Sequence, residues 1–383
     1  MISSLSQANE YEELCINKIL NKTMKVKYLD FGKIFKEYPD AAKAMLNTIE
    51  SGDMIMRKEL DEFEKKLALY TGTKYAVGVA NGSDALFLSL KSLGIGEGDE
   101  VITVAHTFVA TIQEIAHTGA TPILVDVYDK TGLMNMNQVE KAITERTKAI
   151  IPVHLAGDWA DMEALKHLGI PIIEDSCQAL GAGSPSNIGV YSFYPAKLLG
   201  WVGDGGAIVT NDEGTYEELL KLRNHYNIGK ATMGEGKAFA QSETYKFGYN
   251  SRLDNMAGAF LGKKIDTLDD DIRSRKRIAE RYDDWFKELP IRLPVKRDVY
   301  QDYIIRTDKR DELYKHLKKY GIETLGADQL SPHRFPGLGL NKYKLPITDK
   351  HFKESLRLPC NQFMTLEDID YVITIVRTFY REF

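Results

Sequence analysis

Cysteine is scarce in this chain: Cys15, Cys177 and Cys360 are the only three in 383 residues. Odd in number, far apart and without a Cys-x-x-Cys pair, they argue against a disulfide framework and against a zinc site, and a reducing compartment fits them best. Long apolar runs are missing as well. No stretch reaches the eighteen or so residues of a membrane span, and the opening segment has neither the basic flank nor the apolar core of a signal peptide. Charge of one sign is not in excess: 50 Lys and Arg face 55 Asp and Glu, a formal net charge of -5. That balance suggests neither disorder nor a polyanion-binding surface, which sets nucleic acid aside as a partner. Internal repeats and low-complexity tracts are lacking too. The expectation is a soluble, cytoplasmic protein with no metal site.

What is present begins with an amphipathic helix, predicted from Ile55 to Tyr70 by the helical spacing of Leu60, Phe63 and Leu67. The rhythm then changes. Short β-rich runs at 75–79, 100–104, 122–127, 149–154 and 170–175 alternate with helical patterns that begin at Ser83, Phe108, Asn137 and Asp161. Apolar runs without clean alternation, separated by helices, predict an α/β fold with a mostly parallel central sheet flanked by helices. Runs at 190–195 and 206–212 continue the sheet. A long helical region follows from Glu213 to Leu289, broken by the glycine-rich stretch 229–239, which reads as a mobile loop. A chain this long exceeds one small core. We expect an N-terminal segment at 1–50 that can pack with the small domain, a large domain at 51–290 and a smaller α+β domain at 291–383.

Three motifs carry chemistry. In VANGSDALFLSLKSLG (79–94) a strand turns through Asn81 and Gly82 into a helix, presenting backbone N–H groups and a positive dipole end to an anion such as phosphate. Alone, it reads more readily as an ordinary turn with Ser83 as the N-cap. In IIEDSCQALGA (172–182) an apolar strand delivers Glu174 and Asp175 to its C-terminal end, the edge where open α/β sheets bind ligands. A carboxylate there can keep a pyridine nitrogen protonated and make the ring an electron sink, or can merely cap the strand end. In GVYSFYPAKLLGWVGDGG one lysine, Lys197, stands in a stretch free of other charge until Asp204. An amine in partly apolar surroundings keeps its neutral form, which attacks an aldehyde, whereas most lysines simply snorkel at a surface.

The segments N-G-S-D-A-L, H-T-F-V-A-T, E-D-S-C-Q-A-L-G-A, Y-S-F-Y-P-A-K and G-D-G-G-A-I-V-T-N-D, in this order, closely resemble the DegT/DnrJ/EryC1/StrS family of pyridoxal-phosphate-dependent sugar aminotransferases. The resemblance runs from about Asp30 to the C-terminus and implies the aspartate-aminotransferase-like fold type I and a homodimer with shared active sites. It implies that Lys197 holds the cofactor, pyridoxal 5'-phosphate (PLP), covalently and shuttles a proton once freed, and that Asp175 pairs with the ring nitrogen. Gln178 would bond the ring oxygen and Phe108 would stack on the ring. Gly82, Ser83 and Ser192 would bind the phosphate, reached from the partner subunit by Asn250. His106, His154 and His225 read instead as structural hydrogen-bonders. The charge-rich helix 269–285 reads as a solvated face with opposite-sign neighbours.

Departures from the family pattern fall near substrate-shaping segments: a short stretch between Gly181 and Tyr191, Ala156 where the family has an aromatic, with Trp159 close by, and a replaced glutamine around Ala257. Residues 1–23 precede the resembling stretch and read as an accessory helix or an upstream start. The resemblance implies transfer of an amino group from a donor such as glutamate to a nucleotide-linked 3-keto or 4-keto deoxy sugar, with 3-keto slightly favoured. Two alternatives are a non-catalytic regulatory protein of the same fold that binds PLP or a sugar nucleotide, and a PLP-dependent sugar dehydratase, which Lys197 disfavours.

Overall fold

In the computed structural model, residues 24–226, 244, 246–327 and 329–381 are described. The N-terminal residues 1–23, with Cys15, and the glycine-rich stretch 229–239 lie outside them. Among the described residues, nine strands run β1 (Tyr75–Val79), β2 (Glu100–Val104), β3 (Thr121–Val125), β4 (Thr147–Ile150), β5 (Ile173–Asp175), β6 (Ile188–Ser192), β7 (Gly206–Thr210), β8 (Tyr303–Arg306) and β9 (Ser355–Leu358). Two sheets, β1-β7-β6-β5 and β3-β2-β4, meet through the parallel bridges Ile150↔Ile172 and Val153↔Asp175. The joined order is β1-β7-β6-β5-β4-β2-β3. All neighbours are parallel except those of β7, which runs antiparallel between β1 and β6. Strands β1, β2, β4, β5 and β6 therefore end at one edge, and the loops that leave them converge there.

Both faces of this sheet are covered, which is why its strands read as apolar runs. Val77, Val190 and Ile208 pack with Leu86 and Leu88 of the helix Gly82–Ser92 on one face. Their neighbours Ala76, Tyr191 and Val209 pack with Phe63 and Phe260 on the other. A separate core gathers β8 and its antiparallel partner β9 with the helices Arg310–Lys319 and Leu366–Arg381. The helix Leu268–Phe286 bridges the two: Leu268 is buried in the first core, and Ile278, Tyr282 and Phe286 in the second.

Residues 24–51 are split in the same way. Val26 pairs with Ile322 and belongs to the second core, whereas Ile34, Ala41 and Met45, on the helices Phe31–Lys36 and Pro39–Ser51, belong to the first. The bridging helix departs from a purely solvated face because three of its charges, Asp271, Arg275 and Asp283, are buried. Each has a partner that makes burial tolerable: Tyr38 donates to Asp271 at 2.6 Å, Tyr303 donates to Asp283 at 2.7 Å, and Arg275 donates to the Gln301 carbonyl at 2.9 Å.

Candidate active site

The converging loops line a cleft of about 650 Å³, a size suited to a small molecule. Seven of the eight residues singled out from the sequence face it: Gly82 and Ser83 after β1, Phe108 after β2, Asp175 and Gln178 at the end of β5, and Ser192 and Lys197 at the end of β6. The β8–β9 unit closes the opposite side with Gln301, Asp302, Ile304 and Arg357.

Asp175 is buried, and side-chain alternation along β5 turns it toward the cleft while sending Glu174 the other way. Thr111 donates to Asp175 Oδ2 at 2.8 Å and the Cys177 N–H donates to Oδ1 at 3.2 Å. Since the Thr111 hydrogen is committed to the carboxylate, the 2.8 Å contact between the Thr107 and Thr111 hydroxyls has Thr107 as its donor. Glu174 is buried on the far side, where it meets His154 Nε2 at 3.0 Å and accepts from the Ser186 backbone and hydroxyl. Burial beside Asp175 pushes the Cys177 thiol up, with Lys197 acting in the opposite direction, so these three groups are electrostatic neighbours.

Lys197 sits on a tight turn: its N–H donates to the Tyr194 carbonyl at 2.8 Å, and its own carbonyl accepts from Gly200 at 2.9 Å. Gln178 Oε1 accepts from the Ala156 N–H at 3.0 Å, which leaves the amide's NH₂ as the group it can offer a ligand. Phe108 keeps 70% of its surface exposed, an open aromatic face on the cleft wall.

An anion cradle is built where β1 enters its helix. Asn81, rather than Ser83, is the N-cap, its Oδ1 accepting from the Asp84 N–H at 2.8 Å. That leaves the N–H groups of Gly82 and Ser83 at the head of the helix, beside the Ser192 hydroxyl. The approach is close enough to need glycine twice. A Cβ on Gly82 would lie 2.9 Å from Ser192 Cβ, and one on Gly206 would lie 2.3 Å from the Asn81 carbonyl oxygen.

A profile of the DegT/DnrJ/EryC1/StrS aminotransferase family matches residues 36–377. The chain belongs to this family. It is similar to the pleiotropic regulatory protein of Geobacillus stearothermophilus, at 37% identity over 94% of this chain and 100% of that one. It is 38% identical to the dTDP-3-amino-3,4,6-trideoxy-alpha-D-glucose transaminase of Streptomyces venezuelae, over 93% and 96% of the two chains. The crystal structure of S. venezuelae DesV in complex with a ketimine intermediate superposes with a TM-score of 0.87 at 36% identity, over 94% of this chain and 99% of that one.

The residues of this aminotransferase fit PLP, the cofactor the resemblance implies. A glycine-built cradle suits the phosphate, a buried carboxylate suits a ring nitrogen, and a lysine on the same cleft suits the aldehyde. Asn250 is not brought to the cleft. It is exposed and lines a separate surface depression with Phe87, Glu114 and Tyr249.

The histidines left out of the catalytic set make structural contacts. His154 is fully buried, stacks on Trp159 at 3.6 Å and accepts from the Ala160 N–H at Nδ1, and His225 pairs its backbone N–H with the Tyr249 carbonyl. His106 lines the cleft and contacts the Gly132 carbonyl at 2.9 Å through Nδ1. Sequence reasoning missed Thr111 and Gln301. The first had a faint signal, Thr107 and Thr111 one helical turn apart at the start of the helix Ala110–His117, and the second had none.

Proposed function

We propose that this aminotransferase transfers an amino group from an amino-acid donor, glutamate, to the keto carbon of a nucleotide-linked deoxy sugar, a 3-keto sugar in preference to a 4-keto one. The observation that carries the reading is the convergence of Lys197, Asp175 and the Gly82–Ser83–Ser192 cradle on one cleft. The preference for the 3-position leans on the likeness to the S. venezuelae transaminase, named for a 3-amino sugar.

PLP bound here supplies an electron sink for the pair of electrons left when a proton leaves the amino-bearing carbon. The chain's residues do the rest. Lys197 would bond the cofactor covalently and, once displaced by the incoming amine, its Nζ would take a proton from one carbon and return it to another. Asp175, oriented by Thr111 and the Cys177 N–H, would pair with the ring N–H. The Gln178 amide would donate to the ring oxygen, Phe108 would cover one face of the ring, and the helix N-terminus at Gly82 and Ser83, with Ser192, would hold the phosphate. We further propose a cytoplasmic homodimer in which Asn250 of each protomer completes the partner's phosphate site. Among the described residues no helix is long and apolar enough to cross a membrane.

The deciding experiment incubates the PLP form with glutamate and a panel of nucleotide-linked 3-keto and 4-keto sugars and follows product mass. A product in which an amino group and a hydrogen have replaced the keto oxygen of a 3-keto sugar is expected; none from any member of the panel counts against the reading. The likeness to a pleiotropic regulatory protein favours one second reading, a regulator that binds PLP or a sugar nucleotide without turnover. A yellow protein whose colour does not change on adding glutamate would support that reading instead.

A further inference from the structure

Gln301 is buried on the β8 side of the cleft, and each of its four polar groups has a partner. Its side-chain Oε1 accepts from the Leu198 N–H at 3.0 Å, and its Nε2 donates to the Ala196 carbonyl at 2.9 Å. One planar amide thus holds the residues on both sides of Lys197, as a neighbouring strand would. The orientation of the amide is fixed by these partners, because Leu198 N–H can only donate and the Ala196 carbonyl can only accept.

The main chain of Gln301 does a second job. Its N–H donates to the Ala156 carbonyl at 3.2 Å, and the Ala156 N–H is the donor to Gln178 at 3.0 Å. Its carbonyl accepts from Arg275 at 2.9 Å. Arg275 in turn donates to Gln362, Gln362 to Tyr38, and Tyr38 to Asp271, a chain of contacts between 2.6 and 3.0 Å. Lys264 secures the far end of the same turn by donating to the Gly200 carbonyl at 2.6 Å.

We propose that Gln301 is a positioning residue for Lys197, its side-chain amide fixing the direction of the lysine amine while its backbone keeps Gln178 in register with it. The proposal rests on the reading of Lys197 as the cofactor lysine. Glutamine suits the task because it joins a donor and an acceptor in one rigid plane. A glutamate of the same size lacks the donor unless protonated, and leucine lacks both.

The test compares the wild-type holoenzyme with Gln301→Leu and Gln301→Glu. The readouts are kcat, KM, the pH profile and the rate at which borohydride fixes the cofactor to Lys197, mapped on peptides. Gln301→Leu should lose kcat on the order of 100-fold, the scale set by small misplacements of a reacting group, with KM little changed and fixation at Lys197 slowed. Gln301→Glu should be as impaired at pH 8 and recover as the pH falls, because its protonated carboxyl again donates to Ala196. A Gln301→Leu protein with native circular dichroism, a wild-type kcat and a wild-type fixation rate overturns the proposal. Should that variant fail to fold, Gln301→Glu decides: a pH profile matching wild type overturns it. Wild-type label on a lysine other than Lys197 overturns the parent reading as well. Label on Lys197 with unaltered variants overturns only this inference.

Discussion

Glu174 and Asp175 are adjacent carboxylates on one strand, and side-chain alternation gives them opposite surroundings: one is spent on His154 and Ser186, the other faces the cleft. Asp175→Asn should therefore keep the fold and still bind PLP, yet lose most turnover, because an amide cannot hold a ring nitrogen protonated by charge pairing. Near-normal transamination with bound cofactor would reduce Asp175 to a strand cap. Thr111→Val tests the support behind it. A buried hydrogen bond to a charged group contributes about 1.5–3 kcal/mol to folding, so the melting temperature should fall, and with Asp175 less firmly oriented kcat should fall by roughly 10-fold while cofactor content stays near wild type. That Lys197, Asp175, Gly82, Ser83 and Ser192 would share one cleft was legible because each sits in a short contiguous motif at the end of a strand. Thr111 and Gln301 were not, since the contact of Thr111 with Asp175 spans 64 residues and that of Gln301 with Ala196 spans 105.

At the scale of elements, the apolar runs read as strands matched β1 and β2 along their whole length, because those strands are buried on both faces and carry no competing signal. The helix Pro39–Ser51 escaped notice: its buried face is built from Ala41, Ala42, Met45 and Thr48, too small and mixed to show a stripe. Helix Pro346–Glu354 and β9 escaped too, the latter being a four-residue strand recognisable only from its pairing with β8.

That C-terminal unit is tied to the loop carrying Phe108 by His106 and His351, whose rings lie 4.7 Å apart, with Arg306, Asp129 and Lys350 around them. Burial pushes the His106 imidazole down to about 4. Burial, then the His106 and Arg306 charges, push His351 down to about 3. Both folded values lie below the unfolded value of about 6.5, so the unfolded chain takes up protons first. The stability these neutral rings contribute is complete above pH 6.5 and is lost as the pH falls toward 4 and then 3. Urea midpoints measured across that window should fall more steeply for wild type than for His106→Asn, and parallel curves would show that the imidazole does not titrate between the two states.

For the whole molecule, the test is whether Asn250, exposed and away from its own cleft, serves another copy. Asn250→Asp would set a carboxylate against the phosphate and weaken cofactor binding by like-charge repulsion. Lys197→Ala would remove the covalent attachment. Mixing the two inactive variants under subunit exchange should restore activity, since a shared-site heterodimer has one site with both defects and one with neither. A fully exchanged mixture that stays inactive refutes sharing. Sheet order was not legible at this scale, because it depends on pairings between distant strands. The placement of β7 between β1 and β6 has a consequence in time. As the chain leaves the ribosome, the first strand, whose one sheet neighbour among the described residues is β7, must wait unpaired until β7 is made and inserted beside it. Gly82 and Ser192 can meet only after that insertion, and the Lys197 turn receives its clamp only when Gln301 follows. A nascent chain stalled before Gly206 should therefore retain no PLP once free cofactor is washed away, because the cradle of Gly82 and Ser192 is not yet assembled.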